Sequence, residues 1–153
     1  MEHDLHLSGP VVSLVPLAVE HADQLAALGD AEAYAWNTSP PPLTTSAAFA
    51  SIYDLQLNPT VMAFAVTSTD DGELRGMTTF YEHAPAVPRV EIGHTFYGRR
   101  FWGGDTNPHT KLLMPVALRL SRAGPRTAAV VLGVLAAGSA TYGATWLLGP
   151  GPP

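Results

Sequence analysis

A chain of 153 residues is long enough for one compact domain with a real core, and its 46% hydrophobic content is ordinary for a globular protein. A net charge of −5 argues against general nucleic-acid or anionic-membrane binding, so no nucleic-acid partner is expected. With no cysteine there is no disulfide framework, thiolate nucleophile or thiolate-ligated zinc; the six histidines show no metal-ligand spacing, and no metal is expected.

The N-terminal Glu2, His3 and Asp4 carry no apolar signal-like run, which points to a cytoplasmic protein. Residues 11–17 read as the first strand. Ala22, Leu25 and Leu28 fall at helical spacing, and Gly29 ends that helix. Trp36 opens a stiff loop through Pro40, Pro41 and Pro42. Thr44 or Thr45 caps a second helix with Phe49, Ile52, Tyr53 and Leu57 on one face, and Asn58-Pro59 stops it. Residues 61–67 and 74–82 read as a hairpin around Asp70-Asp71-Gly72.

Residues 90–97 form the next predicted strand. Strict alternation places Val90, Ile92, His94 and Phe96 on one face and Glu91, Gly93, Thr95 and Tyr97 on the other. That alternation makes His94 a packed core residue. A turn with Arg99, Arg100, Gly103 and Gly104 follows, and Asn107 and Pro108 suit the start of a helix. Glycines leading to a helix N-terminus make a phosphate site, because unpaired N–H groups and the positive dipole end meet there. Arg99 and Arg100 add positive charge to that turn. Phe101 and Trp102 read as packing groups. Pro115 is expected to interrupt the helix early. The element order gives an α+β, layered α/β domain with a mainly antiparallel, twisted sheet flanked by helices.

These elements, with Leu7-Ser8-Gly9, Trp36 and its proline loop, Glu91-Ile92-Gly93-His94-Thr95, Arg99 to Gly104, Asn107 and Lys111-Leu112-Leu113, resemble the GNAT superfamily of acetyl-CoA-dependent N-acyltransferases. The ribosomal-protein N-terminal acetyltransferase branch is the nearest in pattern. The resemblance covers residues 7–114. It implies that Ile92, Gly93, His94 and Thr95 lie along the pantetheine arm of acetyl-CoA. It implies further that Arg99, Arg100, Gly103, Gly104, Thr106 and Asn107 surround the diphosphate. Glu91 is the candidate general base, with His94 a second candidate, and Trp36 the candidate acceptor-pocket residue. The acceptor is then a small-molecule or peptide amine, and a homodimer is left open. Asp105 departs from the family pattern, which has a small residue there, and sets a carboxylate beside the expected diphosphate.

All 13 carboxylates precede Thr106, and the last 48 residues carry none. Residues 1–114 are therefore read as the cofactor-binding part and residues 115–153 as an atypical apolar tail, with the family's C-terminal strands incomplete. Three readings of the tail stay open: a shifted coding frame near residue 114, a membrane segment at residues 127–148 behind Arg119, Arg122 and Arg126, or a divergent packed end.

Overall fold

The computed structural model describes residues 3–32, 42–81 and 90–122. Five strands form one antiparallel sheet in chain order: β1 (Leu7–Ser8), β2 (Val12–Pro16), β3 (Met62–Ser68), β4 (Leu74–Tyr81) and β5 (Glu91–Tyr97). β1 is two residues long, below the length at which alternation gives a signal, and the sequence reading missed it. The β3–β4 hairpin turns at Asp70-Asp71-Gly72, where Gly72 takes φ +74, a conformation that favours glycine.

Helices cover both faces. α1 (Ala22–Ala27) follows a 3-10 turn at Val19–His21, and α2 (Thr45–Leu57) is capped by the Thr44 side chain, which accepts from the Ala47 amide at 3.2 Å. On their side, Leu25, Ala48 and Ile52 pack on Ala63, Ala65, Met77 and Phe96. On the other side, Leu113, Met114 and Ala117 of α3 (Thr106–Arg122) pack on Leu7, Leu14, Phe64 and Phe80. The sheet is thus buried between two helical layers, and the expected α+β architecture is present.

Three expectations are corrected. α3 does not break at Pro115 but runs through it to Arg122. Proline there deprives the Lys111 carbonyl of its intrahelical donor. Pro115 is exposed, while Leu113, Met114 and Ala117 on the opposite side are buried against the sheet, and that burial holds the helix together. The compositional change at Met114-Pro115 therefore falls inside a helix, and residues 123–153 lie outside the described residues, as does Trp36. Among the described residues, no helix is long and apolar enough to cross a membrane. The start of α3 also shifts: Thr106 is its first residue, and the Asp105 carbonyl accepts from the His109 amide at 3.1 Å. Asp105 thus stands at the N-cap position, which its side chain suits, and Pro108 sits within the first turn, where no amide is needed.

The third correction matters most. Thr79 pairs with Gly93 and Met77 with Phe96, so His94 and Thr95 together face the single residue Thr78. This is a β-bulge, with His94 at φ 44. The extra residue reverses the faces beyond it. Glu91, Gly93, His94 and Phe96 turn toward α1 and α2, whereas Ile92, Thr95 and Tyr97 turn toward α3. His94 is exposed rather than a core residue, and Ile92 is 41% exposed.

Candidate functional site

The face toward α1 and α2 gathers acid–base groups. Tyr81 at the end of β4 donates its hydroxyl proton to Glu91 Oε2 at 2.5 Å. Gly93 leaves room for the Tyr81 ring; a Cβ there would collide with it. The edge of the Tyr81 ring meets the His94 imidazole, with centroids 5.5 Å apart. The buried Thr79 hydroxyl donates to the Gly93 carbonyl at 3.0 Å and lies 3.1 Å from His94 Nδ1. With its one proton used, Thr79 can only accept from the ring. A neutral His94 then carries its proton on Nδ1 and presents Nε2 as a base; this tautomer is assigned from the network. The non-glycine residue at φ 44 sits where the chemistry is expected, as strained backbone tends to.

The face toward α3 has another character. Thr95 Oγ1 bonds the Thr78 hydroxyl at 2.9 Å and accepts from Lys111 Nζ at 2.9 Å. Burial pushes the Lys111 amine below its ordinary value. The Tyr97 hydroxyl donates to Asn107 Oδ1 at 3.2 Å, and burial raises its pKa against an opposing hydrogen bond to Thr110.

The turn after β5 forms a cradle. A 3-10 turn at Arg99–Phe101 is followed by Gly103 at φ +70, and a Cβ on Gly103 or Gly104 would meet essentially open space. Among the described residues the Gly103 and Gly104 amides have no acceptor. The Thr106 and Asn107 amides open α3 and have no intrahelical partner by geometry. Beneath them, Arg75 of β4 donates from Nη1 to Thr106 Oγ1 and from Nη2 to Ser68, both at 3.2 Å, and lies over the Phe101 ring. Among the described residues its buried Nε–H has no hydrogen-bond partner. Trp102 Nε1 donates to the Tyr97 carbonyl and so ties the turn to β5, but its ring is 51% exposed beside the Arg99 guanidinium rather than packed in the core as expected.

Arg99 and Arg100, expected as charges available to the turn, are already engaged. Arg99 pairs with Asp30 at 2.5 Å and Glu32 at 2.9 Å, and Arg100 with Glu73 at 2.5 Å. They line a cleft of about 540 Å³ with Gln24, Leu28, Asp30 and Glu73. Neither Glu91 nor His94 borders that cleft. The groups of the cradle that could hold an anion are therefore backbone amides and Arg75, while Arg99 and Arg100 are ion-paired along the cleft. Among the described residues no cluster of His, Asp and Glu could hold a metal ion.

The structure thus brings Glu91 and His94 together on one face and places Gly103, Gly104, Thr106 and Asn107 in one cradle. It puts Thr95 on the opposite face of β5. Tyr81, Arg75 and Lys111 were missed as functional candidates, because their roles arise from cross-strand and helix–sheet contacts that no local motif encodes.

Residues 12–109 match the family model described as an acetyltransferase (GNAT) domain. No curated protein sequence gives a significant match. A solved structure described as an acetyltransferase from T. thermophilus is 26% identical, with TM-score 0.67, covering 80% of this chain and 64% of that one. One described as a ribosomal-protein-serine acetyltransferase from Vibrio cholerae is 17% identical, with TM-score 0.56, and 79% and 71% of the two chains are covered. The microcin C7 self-immunity acetyltransferase MccE, solved with acetyl-CoA and AMP, is 17% identical, with TM-score 0.54 and coverage of 72% and 65%. The chain spans less than two thirds of the length of the structures it matches first. A family match over most of the chain, joined to the layered sheet and the strand–cradle–helix arrangement, leads to one assignment: the chain belongs to the GNAT acetyltransferase family.

Proposed function

We propose that the chain transfers an acetyl group from acetyl-CoA to a primary amine, either a protein N-terminus or a small amine. The observation that carries this reading is the bulge in β5. It sets Glu91, Tyr81 and His94 on the side toward α1 and α2, one strand length from a cradle of unsatisfied amides. The residues present fit the co-substrate. The Gly103, Gly104, Thr106 and Asn107 amides would hold its diphosphate, with the Arg75 charge beneath, and the open edge of β5 would receive its pantetheine arm. Acetyl-CoA supplies the activated acyl group.

The chain's own groups then do the rest. Backbone amides at the bulge polarise the acyl carbonyl. Glu91, oriented by the Tyr81 hydroxyl, takes a proton from the incoming ammonium directly or through water, and His94 Nε2 offers a second route. MccE is described in complex with acetyl-CoA, which supports the same co-substrate here. Free thiol measured with acetyl-CoA and a panel of peptides and small amines tests the reading. Amine-dependent, saturable thiol release is expected, and saturable binding without release for any amine contradicts transfer.

Asp105 favours a second reading, a binding module with weakened coenzyme affinity, since its carboxylate stands at the cradle. Asparagine at this position would keep the cap and remove the charge. Full activity without that change excludes the second reading.

A further inference from the structure

Lys111 is the single lysine of the chain; every other Lys/Arg position is arginine. In a protein proposed to acylate amines, the one internal amine is therefore a notable placement. It does not lie on the outer surface. Lys111 sits on the second turn of α3, half-buried, with Nζ 2.9 Å from the Thr95 hydroxyl in the bulge. Among the described residues it has no carboxylate partner. Thr95 adjoins the amides that the proposed function assigns to the acyl carbonyl, so that reading sets the amine beside the strand segment that would hold the acyl group, on the face opposite Glu91.

We propose that Lys111 is a self-acylation site, its Nζ taking the acetyl group from acetyl-CoA held along β5. This rests on the reading that the cradle and β5 bind acetyl-CoA. The neutral amine attacks the thioester carbonyl; the C–N bond forms and the C–S bond breaks. The coenzyme thiolate leaves and takes up the proton lost by the amine, so the products are acetyl-lysine and the free thiol. Burial helps, because it raises the fraction of neutral amine near neutral pH. Thr95 Oγ1, accepting from Nζ and hydrogen-bonded to the Thr78 hydroxyl, orients the nitrogen.

Peptide mass spectrometry of the native full chain tests this directly, since only Lys111 and the α-amino group can form a stable acetyl amide. Acetyl-CoA is compared with S-acetyl-N-acetylcysteamine, a thioester of similar reactivity that lacks the nucleotide. Acetyl-CoA is expected to label Lys111 at least about tenfold faster, by holding the reactants together. The rate should saturate, stay independent of protein concentration, and lose its advantage in urea. Coenzyme A should also shield Lys111 from N-hydroxysuccinimidyl acetate. Equal rates with the two thioesters, or labelling of the α-amine alone, overturn the proposal. Lys111→Arg serves as the blank; should it fail to fold, the two-thioester comparison on the unaltered chain still decides. If acetyl-CoA binds and external amines are acetylated while Lys111 stays unlabelled, self-acylation falls and the proposed function stands. Absence of acetyl-CoA binding overturns both.

Discussion

The two faces of β5 are built from neighbouring residues and are chemically unlike. Toward α1 and α2 stand Glu91, Tyr81 and His94, a group of proton acceptors and donors joined by short contacts. Toward α3 stand Thr95, Lys111 and Tyr97, a set of hydroxyls around one amine. A single inserted residue separates them. Without the bulge, strict alternation would keep Glu91 apart from His94 and put Thr95 on the Glu91 face. One irregularity in register therefore creates two chemically different surfaces on one strand, both at a sheet edge that no other described strand covers.

The comparison breaks most sharply at Glu91. Glu91→Gln keeps an acceptor for Tyr81 but loses the base. The maximal rate of thiol release should fall about 100-fold with little change in acetyl-CoA affinity. A rate within about twofold of the parent would reduce Glu91 to a structural partner of Tyr81. His94→Asn comes next. Asparagine tolerates positive φ, so the bulge should persist while the imidazole is lost. A fall of about tenfold in rate is expected. A rate within about twofold of the parent would leave proton transfer to Glu91 alone.

The opposite face answers to stability rather than rate. The folded state holds the Lys111 amine below its ordinary value of 10.5, so folding disfavours proton binding there. Stability then rises with pH across the window from the lowered value to 10.5, where the unfolded chain binds more protons than the folded one. Lys111→Met should raise the thermal midpoint at about pH 7 by roughly a few degrees, and the gain should shrink as pH approaches 10.5. A gain that is constant with pH would assign the effect to packing alone.

The smallest expected effect lies at the rim of the cradle. Glu73→Gln releases Arg100 from an exposed ion pair. Such pairs contribute little to stability, so the midpoint should barely move while acetyl-CoA affinity rises by up to about threefold at low salt. Unchanged affinity would remove Arg100 from the coenzyme site.

Much of this could be read before the fold was seen. The hairpin at Asp70-Asp71-Gly72 and the Thr44 cap are local signals, and local signals survive in the structure. So does the cradle, because Gly103 and Gly104 must lie next to a helix start in sequence as well as in space. The bulge was not legible: nothing in Glu91 to Tyr97 breaks alternation, and the extra residue shows only against the partner register of β4. Pro115 misled for a related reason. Its local cost is real, but the burial of Met114 and Ala117 by the sheet outweighs it, and that is a tertiary effect. Arg99 and Arg100 looked available because Asp30, Glu32 and Glu73 are distant in sequence and close only after folding.

The proposed transfer depends on the cradle at residues 103–107. Isothermal titration of the full chain with acetyl-CoA, repeated with Asp105→Asn, tests it most directly. Saturable binding is predicted that is competed by coenzyme A and weakened by salt, with the variant binding several-fold more tightly. No saturable heat in either protein would contradict it.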